Sequence, residues 1–236
     1  MRKRIWELDA FRGVCVLGMV LVHFVLDVTM LYSLVDWQIP GWFIFLQNWG
    51  GVLFLLISGI SVTFSRNSLR RGFWVFSCGM LITAATVGMY LLGIATRSII
   101  IYFGVLQCLG ICMALWPLFQ KLPLWALSAI GTGIVLLGLF FTRLPPTEFY
   151  WLIPLGIPCA EFYTADYFPL FPYLGFFLLG AALGRTLYRN KQTLLPKVNA
   201  NHPLLRFLQF CGKYSLFIYM LHQPILSGLC MLLSLL

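Results

Sequence analysis

The stretch Leu8-Asp-Ala-Phe-Arg-Gly-Val-Cys-Val-Leu-Gly-Met-Val-Leu-Val-His-Phe-Val-Leu-Asp27 carries only four acidic or basic side chains in twenty residues. About 20 mostly apolar residues suffice for a helix to cross a bilayer, so this segment is expected to be a first membrane span. A helix turns about 100° and rises about 1.5 Å per residue, which returns His23 to within about 20° of Arg12, roughly 16 Å further along the axis. Asp27 follows on the same stripe one turn later, and Asp9 precedes Arg12 by one turn. Ionisable groups aligned on one face of a lipid-embedded helix are costly unless that face lines a polar interior, so the stripe marks a working site or a polar seam between helices.

The rest of the chain extends this reading. It is 61% hydrophobic, 17% aromatic and only 10% charged, with mean hydropathy +0.91. A soluble domain carries about 25% charged residues, so the expected solvent is lipid. Apolar runs bounded by charge, Pro and Gly fall near 10–31, 42–64, 73–94, 98–118, 122–142, 170–188 and 213–235. The expected fold is an all-α polytopic membrane helix bundle of seven or eight transmembrane helices. It would form one domain over 1–236, leaving no length for a separate soluble domain.

Charge sets the orientation. With the N-terminus in the cytoplasm, the inner ends and loops hold Arg2, Lys3, Arg4, Arg12, Arg66, Arg70, Arg71, Lys121, Arg185, Arg189, Lys191, Lys197, Arg206 and Lys213, leaving Arg97 and Arg143 outside. Fourteen of the 16 basic residues then face inward, a strong positive-inside bias. The net charge of +9 is therefore assigned to topology rather than to nucleic-acid binding. Glu7 and Asp9 interrupt the basic start, and no small-residue cleavage site precedes Asp27. The first span is accordingly read as retained rather than as a cleaved signal. The seven cysteines lie mostly within spans and form no Cys-x-x-Cys, and the three histidines are far apart. Neither a disulfide framework nor a metal site is expected.

Within the spans, polar residues are few. Gln107 sits in Tyr-Phe-Gly-Val-Leu-Gln-Cys. Ser58, Gly59 and Ser61, and the pair Gly180 and Gly184, offer close helix contact. His222 stands beside Gln223 and Pro224 in the last span, while His202 is expected to be solvated in an inner loop. The segment 142–168 holds four prolines, three acids and seven aromatics. Its core, 149–160, is too short to span and too apolar for a watery loop. It is expected to be re-entrant or interfacial, either an aromatic belt or a lid that stacks a sugar or lipid headgroup.

Leu8-Asp-Ala-Phe-Arg-Gly13 followed by His23 resembles the opening of membrane-embedded acyltransferases, whose superfamily carries Arg and His at this spacing. The segments Leu55-Leu-Ile-Ser-Gly-Ile-Ser61, Tyr102-Phe-Gly-Val-Leu106, Asp166-Tyr-Phe-Pro-Leu-Phe-Pro172 and Gly212-Lys-Tyr-Ser-Leu-Phe-Ile-Tyr-Met-Leu-His-Gln-Pro224 narrow the likeness. Together they resemble small bacterial proteins related to the catalytic domain of heparan-α-glucosaminide N-acetyltransferase. The resemblance implies an enzyme of the bacterial cytoplasmic (inner) membrane. It would move an acyl group, typically acetyl, from cytoplasmic acyl-coenzyme A to a sugar, lipid or glycan acceptor in or across the bilayer, with no metal.

On that reading Arg12 sits near the inner surface, where a guanidinium would pair with coenzyme A phosphates. Arg66, Arg70 and Arg71 lie on the same side to hold the nucleotide end, with Lys191, Lys197 and Arg206. His23, deeper in the bilayer, would serve as general base or acyl carrier. Asp27 at i+4 would orient the imidazole and stabilise its charged form. Gln107, Asp166 and His222 are the further polar site candidates. A chain this short would complete its site as a homo-oligomer or keep the fold without the chemistry. The same stripe would also suit a transporter or flippase of lipid-linked sugars, or a non-catalytic membrane protein.

Overall fold

A computed structural model describes residues 5–234, whose regular structure is helical, with no strand among them. The basic residues Arg2, Lys3 and Arg4 of the positive-inside pattern lie outside the described residues. In chain order the helices are α1 (Trp6–Leu26), α2 (Gly41–Val62), α3 (Ser68–Leu91), α4 (Val105–Phe119), α5 (Leu124–Phe141), α6 (Leu170–Leu187), α7 (Pro203–Lys213) and α8 (Ser215–Leu233). A π-helical turn, Asp27–Leu31, prolongs α1. Among the described residues, six helical segments are long and apolar enough to cross a membrane: 6–31, 41–62, 68–91, 124–141, 170–187 and 215–233. Large apolar side chains such as Phe73, Trp125 and Leu136 stand exposed along them, as side chains facing lipid do. The chain is thus an all-helical, polytopic integral membrane protein.

The apolar run 98–118 differs from the expected span. Its helix, α4, has only 15 residues, because residues 100–104 are held extended by the segment before α6. The Thr164 hydroxyl donates to the Ile100 carbonyl at 2.7 Å, and the Phe168 N–H donates to Phe103 at 3.0 Å. The Asp166 carboxylate accepts from the Val105 N–H at 3.1 Å and so caps α4. At the far end, Arg185 in the last turn of α6 donates to the carbonyls of Gln120 and Leu122. α4 therefore runs beside α6 from end to end.

The helices group into two compact units, residues 1–57 with 190–236 and residues 58–189. In the first, α1 lies against α7, and the contact depends on two glycines. A Cβ on Gly13 would stand 2.0 Å from the Leu208 carbonyl oxygen, and one on Gly212 would stand 1.7 Å from that of Asp9. Only hydrogen fits at either place, so the two backbones touch. The polar connection before α7 is fastened to α1 by Glu7, which accepts from the Thr193 hydroxyl at 2.9 Å and the Leu194 N–H at 2.7 Å. No apolar run marks 203–212 in the sequence. The structure makes it an amphipathic helix that begins with Pro203 at its first position, where a missing N–H costs nothing.

The second unit uses the same device between α3 and α4, where Gly72 and Gly110 face each other's carbonyls. Gly59 meets the Phe177 carbonyl and Gly184 meets Ile60, the close contact expected of these small residues. The segment 142–168 closes on itself. The Thr147 N–H donates to Pro158, the Ala160 N–H returns to Thr147, and a 3-10 turn, Tyr150–Leu155, lies between them. The Tyr167 hydroxyl donates to the Ile153 carbonyl at 2.7 Å and ties this loop to the start of α6. Burial, with lesser effects of Cys159 and Tyr173, pushes the Tyr167 phenol up to about 12.

Candidate active site

The sequence-predicted residues separate by unit. Arg12, His23, Asp27 and His222 belong to the first, and Arg66, Arg70, Arg71, Gln107 and Asp166 to the second. In the first unit α1 presents its stripe as one helical face, and α8 supplies Tyr219, His222, Gln223 and Ser227 within three turns. The two faces meet deep in the apolar segments.

Their meeting point is a pair of imidazoles. The rings of His23 and His222 lie edge to face, with centroids 4.8 Å apart and planes at 78°. His23 Nδ1 is 2.9 Å from the Met19 carbonyl, and His222 Nδ1 is 2.6 Å from the Tyr219 carbonyl. A carbonyl only accepts, so in each neutral ring Nδ1 carries the proton and Nε2 carries the lone pair. His222 Nε2 is buried with no hydrogen-bond partner. Leaving a buried polar atom unpaired costs about 1–3 kcal/mol, so such atoms mark places where a fold serves something other than its own stability.

Asp27 lies one turn beyond His23 and is buried. Its two carboxylate oxygens accept from Gln223 Nε2 at 3.0 and 2.9 Å. A hydrogen bond from the His23 ring N–H to the Asp27 carboxylate is not formed. His23 Nδ1 is already committed to its own helix, and Gln223 reaches the carboxylate first. Asp27 lies one helical turn from His23, close enough for the two side chains to interact through space. It also opens the π-helical turn, whose Tyr32 N–H donates back to the Asp27 carbonyl at 2.8 Å. Such widened turns recur at functional sites in helices.

Gln223 was not foreseen. The available signal was its spacing, since Tyr219, Gln223 and Ser227 follow at i, i+4 and i+8 and share a face with His222 beside it. An amide draws little notice in sequence because it neither titrates nor carries charge. Its Oε1 is buried without a partner, like His222 Nε2.

Arg12 forms an ion pair with Asp9 at 3.1 Å, both side chains largely covered. A cavity of about 280 Å³ opens at this end of α1, lined by Trp6, Asp9, Arg206, Gln209, Phe210 and Lys213. The cations that face open space here are thus Arg206 and Lys213, which α7 supplies. Arg66, Arg70 and Arg71 are exposed around the N-terminus of α3, where the Asn67 side chain caps the helix by accepting from the Arg70 N–H at 3.0 Å.

Gln107 and Asp166 serve their own unit. Gln107 Nε2 donates to the Gly79 carbonyl at 2.9 Å and to Thr83 Oγ1 at 2.8 Å, and its Oε1 accepts from the Gly104 N–H at 3.0 Å. It joins α3 to the start of α4, while Asp166 caps α4 from the other side. Among the described residues no group of three or more His, Cys, Asp or Glu is placed to hold a metal ion.

No curated protein and no solved structure matches the chain. The family described as heparan-alpha-glucosaminide N-acetyltransferase, catalytic, matches residues 4–224. The matched region takes in all of α1 and parts of both units and ends at Pro224, one residue past Gln223. The chain belongs to the heparan-α-glucosaminide N-acetyltransferase catalytic family, which makes it a membrane protein of transferase type.

Proposed function

We propose that this protein is an integral membrane acyltransferase of a bacterial cytoplasmic membrane, N-terminus inward. It would take an acetyl group from cytoplasmic acetyl-coenzyme A, or another acyl-coenzyme A, and pass it to a sugar, lipid or glycan acceptor. The observation that carries this reading is the imidazole pair, in which the half-buried His23 ring and the buried His222 ring both direct Nδ1 at a backbone carbonyl and leave Nε2 as the acceptor. Both units are treated as one acyltransferase domain because the family match spans them.

His23 is the base. Its Nε2 takes the proton from the acceptor hydroxyl or amine, and the acceptor lone pair forms the new C–O or C–N bond as the thioester C–S bond breaks. The proton then passes from His23 to the departing thiolate, so that coenzyme A leaves as its thiol. His222 offers a second lone pair beside the first and relays the proton. Asp27, held by Gln223, stabilises the imidazolium while it exists. This division needs no proton from bulk water.

The donor's phosphates fit the inner ends of the helices. Arg206 and Lys213 line the cavity beside Trp6, whose ring suits an adenine face, and Arg12 stands next to it through Asp9. Within the second unit, Arg66, Arg70 and Arg71 concentrate positive charge at the N-terminus of α3, where the helix dipole has the same sign. The test is thermal unfolding of the purified protein with acetyl-, succinyl- and longer acyl-coenzyme A. At a hundredfold excess over Kd a ligand stabilises the folded state by about 2.7 kcal/mol. A rise in Tm that is lost in Arg206→Ala/Lys213→Ala supports the reading. No rise with any acyl-coenzyme A contradicts it and favours a transporter or a non-catalytic membrane protein.

A further inference from the structure

The second unit contains a cavity that the transfer chemistry does not use. It measures about 330 Å³ and lies in the connections before α4 and before α6, on the side that the charge bias assigns to the exterior. Its walls bring together one cation, Arg97, and one anion, Glu161, with the rings of Tyr102, Phe162 and Tyr150 and the side chain of Ile153. Arg97 is one of only two basic residues expected on that side.

Three features mark this as a built site. Tyr102 and Phe162 stand with centroids 5.7 Å apart, and Phe162 is braced edge to face by Tyr167 at 5.3 Å. The Arg97 guanidinium lies against the Tyr102 hydroxyl, which holds it more firmly in its charged form. Glu161 has φ +53°, a left-handed conformation that side chains other than Gly and Asn rarely adopt. The residue before it is clamped, since the Ala160 N–H donates to Thr147 at 3.0 Å and the Ala160 carbonyl accepts from the Tyr150 hydroxyl at 3.4 Å. The loop thus holds Glu161 at the cavity wall in a left-handed backbone conformation.

We propose that this cavity binds the headgroup of a zwitterionic phospholipid, phosphoethanolamine, from the outer-facing leaflet. Arg97 takes the phosphate in a charge-assisted contact. Glu161 takes the ammonium, whose N–H groups donate to the carboxylate while Tyr102 and Phe162 offer their ring faces to the same charge. A purely anionic headgroup would meet Arg97 but face repulsion from Glu161. A choline headgroup would sit among the rings but has no N–H to donate. Beside the cavity Phe149 and Trp151 pair at 6.3 Å and stand exposed, as does Tyr163. Exposed aromatics of this kind sit at headgroup level in membrane proteins, which puts the cavity where such a ligand is abundant. The site does not depend on the transfer reaction.

The protein is reconstituted in nanodiscs of equal phosphatidylethanolamine and phosphatidylglycerol, released, and its retained lipids are counted by native mass spectrometry. Wild type retains phosphatidylethanolamine in preference. Glu161→Gln lowers that preference by about fivefold, the upper range for an exposed ion pair, and Arg97→Ala lowers retention of both lipids. Both side chains are exposed, so thermal unfolding of the variants matches wild type. Millimolar glycerophosphoethanolamine leaves the retained lipid in place. Equal retention of the two lipids by wild type, or unchanged preference in Glu161→Gln, overturns the proposal. Displacement by the soluble headgroup, or by an oligosaccharide, overturns the membrane as the source of the ligand.

Discussion

The two units treat a buried side-chain amide in opposite ways. In the second, Gln107 is nearly inaccessible, yet each end of its amide is bonded, and Asp166 caps a helix that would otherwise begin with a bare N–H. In the first, His222 and Gln223 lie in an equally apolar helix and each leaves an atom without a partner. Among the described residues one further buried side-chain atom lacks a partner, Ser65 Oγ in the turn after α2, which belongs to the second unit. A satisfied amide rigidifies its unit, whereas a seam of unsatisfied acceptors costs stability and needs another reason to exist. Polarity within a span is therefore not by itself a sign of function; incomplete bonding is the better guide.

Breaking the satisfied side should have the largest effect. Gln107→Leu removes three hydrogen bonds and leaves the Gly104 N–H without its side-chain acceptor, which should cost about 2–4 kcal/mol in thermal unfolding. If Gln107→Leu keeps the wild-type Tm, the amide is not the brace described here.

The unsatisfied side should tolerate change in stability but not in rate. Gln223→Leu releases Asp27 and should slow acetyl transfer by about tenfold, with a much smaller change in Tm. Asp27→Asn should give a comparable loss, because the imidazolium loses its nearby charge. Measured side by side, equal losses place the two residues in one unit of action. A wild-type rate in Asp27→Asn would leave that carboxylate as packing.

The smallest effect sharpens the contrast at the loop of the second unit. Tyr167 has its folded pKa raised from about 10 to about 12. Its contribution is therefore complete below pH 10 and is lost as pH rises through 12, because the unfolded chain ionises first. Tyr167→Phe loses the bond to Ile153, a change of about 1 kcal/mol. Hydrogen exchange across 147–160 should accelerate between these pH values in wild type, and the variant should start faster and respond less.

Much of this architecture is legible in the sequence, for identifiable reasons. Apolar runs and flanking charges define the membrane helices because lipid leaves few other solutions. Arg12 and His23 stand out because charge is rare there. α4 was read too long, since the extended hold on residues 100–104 comes from Thr164 and Phe168, more than sixty residues away. α7 escaped notice because eleven residues with Arg206, Gln209 and Lys213 on one face do not read as a span. The partnership of His23 with His222 spans 199 positions, and no local pattern encodes it. Asp27 was assigned to His23 by spacing alone, which says nothing of a competing amide on another helix.

The central claim is that His23 and His222 act on one proton. The most direct measurement is a double-mutant cycle of acetyl-coenzyme A-dependent transfer in native membrane vesicles, with Tm recorded for each variant. The account predicts that His23→Ala loses about 10²- to 10⁴-fold in rate, that His222→Ala loses less, and that the double variant is no slower than His23→Ala. All four proteins should unfold at similar temperatures. Wild-type turnover in His23→Ala, or strictly additive losses in the double variant, would contradict it.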